Sequence, residues 1–297
     1  MKLVTEINAL RSHLKEMRFK ATQNGKQLEV GFVPTMGYLH AGHASLLRKA
    51  RQDNDIVVLS VFVNPIQFGP NEDLEKYPRD FEADMTLAGQ MGVDIVFMPT
   101  PEEMYPTPTK THVKVSQLTD LLCGASRPGH FDGVTTVVSK LFHIISPDVA
   151  YFGQKDAQQL AVITQMVQDL NLDVSIVSCP IVREQDGLAL SSRNVYLSDD
   201  ERQAALVLSQ SLERAKRITS TSGILTIGQL RDTILSHINS EPLAQIDYVS
   251  LTSFPELMEL EDTLNYNDIQ GDILIALAVK FGNTRLIDNV ILTKKGL

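Results

Sequence analysis

Cysteine is almost absent from this chain. Its two cysteines, Cys123 and Cys179, lie far apart in 297 residues and form no CxxC pair. That excludes a disulfide framework and suits a reducing, cytoplasmic compartment with both thiols as small buried hydrophobes. Positive charge is also scarce: 27 Lys and Arg stand against 36 Asp and Glu, a net charge of −9. A general nucleic-acid surface needs a basic face, so that function is excluded. A small anionic ligand is not, because a local pocket can be positive on an acidic protein. No apolar run approaches the ~20 residues that span a bilayer. The polar start Met1-Lys2-Leu3-Val4-Thr5-Glu6 is unlike a signal peptide. There is no HExxH and no Cys/His cluster, which argues against a zinc site. What is present is an ordinary globular composition, 43% hydrophobic and 21% charged, in a chain long enough for two domains at roughly 150 residues each.

Strand-like and helix-like runs alternate through the first two thirds. Strands are expected at 28–33, 56–63, 95–98, 113–115, 149–152 and 174–182, and helices at 5–19, 43–51, 80–91, 135–145 and 156–169. Short apolar strands separated by helices imply a doubly wound, Rossmann-like parallel sheet covered on both faces. Ligands bind such sheets at the carboxyl ends of strands, near a topological switch point. The pattern then changes. Ser198-Asp199-Asp200-Glu201 reads as a capping box opening a long helix toward Ile218, followed by a polar break at 219–223 and a helix over 226–238. Runs at 246–251, 273–279 and 284–292 read as strands of a small sheet. The expected division is an α/β domain over 1–183 and a smaller α+β domain over 184–297.

The most informative run is Val33-Pro34-Thr35-Met36-Gly37-Tyr38-Leu39-His40-Ala41-Gly42-His43, a strand, a tight loop and a helix start. Backbone N–H groups and the helix dipole at such a terminus attract phosphate, and two imidazoles there can donate to it. The bland reading is that a histidine at a helix start caps or packs. In Asn64-Pro65-Ile66-Gln67-Phe68-Gly69-Pro70, the neutral amide of Gln67 can orient a carboxylate or hydroxyl; Glu72, Asp73 and Glu75 nearby read as a solvated face. Arg127-Pro128-Gly129-His130 reads as a loop entering a helix. Gly153-Gln154-Lys155-Asp156 repeats the strand–Gly–helix logic with a cation. Asp156 suits ribose hydroxyls, a metal or simply an N-cap. Of Gln158 and Gln159, only one can face a ligand, since adjacent helix residues diverge. Leu190-Ser191-Ser192-Arg193 offers short donors and a guanidinium fork to a polyphosphate, or is a polar linker.

Taken together, VPTMGYLHAGH, VFVNPIQFGPNEDLEKYPR, RPGHFDGV, GQKDAQQL and DGLALSSRN resemble the pantoate–β-alanine ligases, within the HIGH-type nucleotidyltransferases. GNTRLIDN near the end also looks like that family. The LSSRN run lacks the lysine that related synthetases carry there, so Lys155 and Arg193 supply the cations. The resemblance implies a two-step ligation with Mg²⁺. ATP and (R)-pantoate give pantoyl adenylate and pyrophosphate; β-alanine then releases pantothenate and AMP. It implies that Val33, Pro34, Thr35, Met36, Gly37, Tyr38, Leu39 and His40 form the ATP site, with His40, His43 and Lys155 catalytic. Gly153, Gln154, Lys155 and Asp156 then hold ribose and phosphates, and Val182 contacts the adenine. Leu190, Ser191, Ser192 and Arg193 close over the triphosphate. Gln67 and Gln159 grip pantoate and His130 borders the site. It assigns no metal ligands and implies a cytoplasmic homodimer with small-molecule substrates and no nucleic-acid or membrane partner. A plain adenylyltransferase and a silent nucleotide-binding regulator are the competing readings; only the ligase needs paired glutamines for a small hydroxy acid.

Overall fold

The computed structural model describes residues 1–70, 72, 74–221 and 225–293. Six strands, β1 (Lys2–Val4), β2 (Val30–Thr35), β3 (Ile56–Val61), β4 (Ile95–Phe97), β5 (Val149–Gly153) and β6 (Ser175–Cys179), form one parallel sheet in the order β1-β4-β3-β2-β5-β6. Every residue of β3, Ile-Val-Val-Leu-Ser-Val, is buried, as expected of a strand covered on both faces. One face packs on α1 (Ile7–Gln23), α6 (His130–Ile145) and α7 (Ala157–Asp169); the other packs on α2 (Ala41–Asp53) and α3 (Phe81–Gln90). Two short helices, α4 (Pro101–Met104) and α5 (Leu122–Ser126), sit in the long connection after β4. The strand order reverses between β2 and β5, so the loops after these two strands open at the switch point.

The remaining chain forms α8 (Asp199–Ala204), α9 (Leu206–Thr221), α10 (Ile227–Ile238) and an antiparallel sheet of β7 (Ala244–Phe254), β8 (Asp272–Phe281) and β9 (Thr284–Leu292). This is the Rossmann-like α/β domain with a smaller C-terminal α+β domain. One face of the small sheet packs Leu277, Val279, Leu286 and Val290 against α9 and α10. The other presses Leu274, Ala276 and Ile291 onto Leu122, Ala157 and Ala161 of α5 and α7.

Several expectations need correction. Segment 113–115 is not a strand: Val113 donates to Thr136 Oγ1 (3.0 Å) and its carbonyl accepts from Thr135 Oγ1 (2.5 Å), so hydroxyls of α6 take the backbone that a ladder would use. The N-terminal β1 was not expected, because three residues carry no readable period. The last strand of the parallel sheet stops at Cys179, before Pro180, which has no N–H to give. Helix α6 starts at His130, inside the run read as a loop. The Ser198/Glu201 capping box is present, but the helix it opens is interrupted at Ala205, where Leu208 N–H bonds Ala205 O in a 3₁₀-like step. Cys179 is buried, but Cys123 is only half-buried, and both are free thiols. Residues 219–221 of the expected break instead continue α9, and the rest of it lies outside the described residues, as Asp73 does.

Candidate active site

The cavity at the switch point has a volume of about 230 Å³ and opens beside a wider cleft of about 1520 Å³ between the small sheet and the helices and loops of the larger domain. Lys155, Asp156, Gln159, Ser191 and Arg193 line both. Its floor is the β2 loop. Gly37 takes φ +86°, and a Cβ there would lie 2.9 Å from Val61 and 3.0 Å from Asp84. The Asp84 carboxylate, on α3, accepts from Tyr38 N–H (2.9 Å) and Leu39 N–H (2.6 Å). Burial raises its pKa while those two donors hold it down. The loop thus delivers its chain to the start of α2 in one conformation.

At that start the two histidines cap the helix and each other. Gly42 N–H donates to His40 Nδ1 (3.1 Å) and His40 N–H donates to His43 Nδ1 (3.2 Å). Both Nδ1 atoms are therefore acceptors, which leaves the ring proton of each neutral imidazole on Nε2. The rings lie 4.1 Å apart. The bland capping reading holds, and because the cap uses Nδ1 it leaves an N–H at Nε2 of each ring. Burial first, then the Lys155 charge, lowers His40 to about 4; burial, then His40 and Lys155, lowers His43 to about 3. Both rings are neutral near pH 7.

Across the cavity, Gln67 sits on a 3₁₀ turn (Pro65–Gln67) after β3. Its Nε2 lies 3.1 Å from Met36 Sδ and its Oε1 accepts from Asn64 Nδ2 (3.1 Å). Asn64 in turn donates to Gly133 O and accepts from Tyr105 Oη (2.8 Å). Gly133 is required for this approach: a Cβ would lie 2.5 Å from Ile66 O and 2.6 Å from Gln67 Cα. His130 Nδ1 bonds Gln67 O (2.8 Å), and its Nε2 lies 3.0 Å from Arg127 Nη1. Arg127 grips Glu72 with two bonds of 2.6 Å. Glu72 is therefore an anchor of the Gln67 turn, not a solvated charge as expected. Burial, then the Arg127 charge, lowers His130 to about 4.

Three imidazoles with lowered pKa link stability to pH. Their folded values lie below the ordinary 6.5, so the unfolded chain binds more protons from pH 6.5 down to about 4 for His40 and His130 and about 3 for His43. The stability they carry is complete above pH 6.5 and is lost as pH falls through that window. From pH 7 to 5 each of His40 and His130 should cost about 2 kcal/mol of unfolding free energy. Urea titrations at the two pH values check this; equal unfolding free energies would contradict it.

Of the residues singled out in the sequence, Pro34, Thr35, Met36, His40, His43, Gln67, Gly153, Lys155, Asp156, Gln159, Val182, Leu190, Ser191, Ser192 and Arg193 all line the cavity. Val33 is buried in the sheet core, and Gly37, Tyr38 and Leu39 shape the loop from outside the lining. Gln154 lines neither the cavity nor the cleft, and His130 lines the wider cleft instead. Gln158 is spent internally, accepting from Cys123 N–H and donating to Leu118 O and Leu121 O, so Gln159 alone of the pair faces the cavity.

The family model described as pantoate-beta-alanine ligase matches residues 2–291. The chain belongs to the pantoate–β-alanine ligase family. A pantothenate synthetase of Caldicellulosiruptor bescii is 55% identical over 95% of this chain and 97% of its own length. One of Pelotomaculum thermopropionicum is 54% identical over 98% and 99%. The crystal structure of pantothenate synthetase from Thermus thermophilus superposes with a TM-score of 0.88 at 43% identity, covering 98% of this chain and 99% of that one. A Francisella tularensis pantoate-beta-alanine ligase, complexed with β,γ-ATP and β-alanine, gives 0.74 at 32% identity over 98% and 97%. As a ligase of this family the protein joins pantoate to β-alanine.

For this ligase, sequence reasoning missed the supports behind the site. Asp84, Asn64 and the Glu72–Arg127 pair touch the loops that carry site residues. So do Asp288 and Asn289, 2% and 4% exposed on β9. Asn289 Nδ2 donates to Gln154 O (2.9 Å) and Lys155 O (2.8 Å); Asp288 pairs twice with Arg183 (2.6 and 2.9 Å). Apart from Asn64, three residues before Gln67, each stands far in sequence from what it holds. The signals on offer were the polar Asp-Asn pair within an otherwise strand-like run and the GNTRLIDN resemblance that contains it.

Proposed function

We propose that the ligase activates pantoate with ATP, as pantoyl adenylate, inside this cavity. The observation that carries the reading is one lining that places two Nε2–H donors, Lys155 and Arg193 near the neutral amides of Gln67 and Gln159. The amides suit a small hydroxy acid without neutralising its carboxylate. The cations and imidazoles suit a polyphosphate at a helix start.

In the first step a carboxylate oxygen of pantoate attacks the α-phosphorus. The bond from that phosphorus to the bridging oxygen breaks, and pyrophosphate leaves. Two anions meet, so Lys155 and Arg193 offset repulsion while His40 and His43 donate to phosphoryl oxygens as charge builds there. Neither imidazole is the base: both Nδ1 atoms already accept backbone N–H, and both Nε2 atoms carry a proton. In the second step the β-alanine amine attacks the acyl carbon, its bond to AMP breaks, and the amine gives up a proton.

Mg²⁺ fits this donor set as a guest on the phosphates. Among the described residues no cluster of three His, Cys, Asp or Glu could cage a metal, and Asp156 is the one carboxylate lining the cavity. Magnesium bound through one carboxylate and substrate phosphates is its ordinary mode, and there it neutralises phosphate charge. Asp156 would hold it or the ribose.

The division at 183/184, the smaller domain as a lid, a homodimeric assembly and a cytoplasmic location belong to the same proposal. The lid is supported by Ser191 to Arg193, which reach the cavity from the junction. No helix among the described residues is long and apolar enough to cross a membrane. The test is pyrophosphate release from ATP, Mg²⁺ and pantoate without β-alanine. A burst of about one equivalent per site is expected, with turnover on adding β-alanine. No pyrophosphate under either condition would overturn the adenylate reading.

A further inference from the structure

The strand β9 belongs to the small antiparallel sheet, yet one of its side chains ends on the phosphate-side turn of the other domain. Asn289 gives both amide hydrogens of Nδ2 to the successive carbonyls of Gln154 (2.9 Å) and Lys155 (2.8 Å). Its Oδ1 is buried with no hydrogen-bond partner among the described residues. A buried unpaired acceptor costs stability, and turning the amide over would set that oxygen against two carbonyl oxygens. The residue therefore keeps one atom unsatisfied so that the other can hold the turn. That turn, Gln154–Asp156, has no side-chain cap of its own at Gly153 or Asp156. Asn289 thus fixes the two peptide planes from which the Lys155 side chain leaves.

The neighbouring residue braces the hairpin that leads to the second cation, Arg193. Asp288 holds Arg183 through both guanidinium ends, and Arg183 Nη1 also donates to Gly187 O (3.1 Å). This closes the hairpin in which Arg183 pairs with Ala189, immediately before Leu190 to Arg193. Asn289 N–H returns a bond to Asp288 Oδ1 (2.8 Å), so the two clamps share one frame.

We infer that Asn289 is a positioning residue for Lys155: from the small sheet it fixes the turn that aims the ammonium at the phosphates. The inference rests on the reading of Lys155 as a reaction-site cation. It predicts that Asn289 acts through Lys155 and is silent once Lys155 is gone. A displacement of about 1 Å at a reacting group can cost on the order of 10²-fold in rate.

The experiment is a double-mutant cycle on single-turnover pyrophosphate release from ATP, Mg²⁺ and pantoate. Variants are Asn289→Ala, Lys155→Ala and the pair, with thermal unfolding followed by circular dichroism as the folding control. Asn289→Ala should slow the wild-type background by about 10- to 100-fold, with the KM for pantoate changed less than about threefold. In the Lys155→Ala background it should cost less than about threefold. Asn289→Ser, which keeps one donor on a smaller side chain, should recover part of the rate, and it replaces the alanine variant if that does not fold. Equal factors in both backgrounds, or no loss in the first, would overturn the inference alone. A wild-type rate for Lys155→Ala by itself would overturn the role of Lys155 and this inference with it.

Discussion

Lys155→Ala should slow pyrophosphate release from ATP and pantoate by about 10³-fold while leaving the KM for pantoate within a few-fold of wild type. The reason is electrostatic and positional. The reacting carboxylate and the α-phosphate are both anionic, so the barrier contains a repulsion that water would screen and a closed cavity does not. Lys155 stands at the start of α7, at the switch point, and its charge reaches both His40 and His43, whose pKa values it lowers. In the proposed reading pantoate is held by the amides of Gln67 and Gln159, so its ground-state binding should not depend on the ammonium. Lys155→Arg should not restore the rate, since a planar fork needs room and directions that a compact ammonium does not. Initial-rate kinetics with varied pantoate at saturating ATP separate the two parameters. A Lys155→Ala enzyme within about fivefold of wild-type kcat would remove Lys155 from the chemistry.

The parts of this site that were legible in the sequence are those where chemistry and chain direction coincide locally. The β2 loop, the Gly153-Gln154-Lys155-Asp156 turn and the Leu190 to Arg193 run each join a strand end or a hairpin to a cation or donor, and all converge on the cavity. The alternation of short apolar runs with helices was enough for the parallel sheet, because a strand covered on both faces must be apolar throughout. What was hidden is of another kind. Segment 113–115 looked like a strand because its side chains alternate correctly; only the hydroxyls of Thr135 and Thr136, far along the chain on α6, take its backbone out of a ladder. Glu72 looked solvated because its partner Arg127 lies 55 residues away. Asp84 and Asn289 act on backbone atoms, and a backbone acceptor or donor has no residue type to betray it. Pairings that close across long separations depend on topology, which local period and composition do not encode.

In the proposed reading His40 carries two duties that one substitution separates. As the N-cap of α2 it accepts from Gly42 N–H through Nδ1, and in the proposed chemistry its Nε2–H donates to phosphate. His40→Ala removes both. It should cost about 1 kcal/mol of stability from the lost cap and on the order of 10²-fold in adenylate formation from the lost donor. His40→Asn keeps an acceptor at the capping position, and asparagine is among the best N-caps. Its side chain is too short to replace Nε2 at the phosphate. The asparagine variant should therefore recover the stability and not the activity, so that unfolding free energy and pyrophosphate release move apart. The same comparison tests the claim that the imidazole works as a neutral donor. His40→Asn should also remove the share of acid destabilisation that His40 contributes between pH 6.5 and about 4, flattening the dependence in that window. If both variants lose activity and stability in proportion, the histidine is a cap alone and the phosphate donor must be sought at His43.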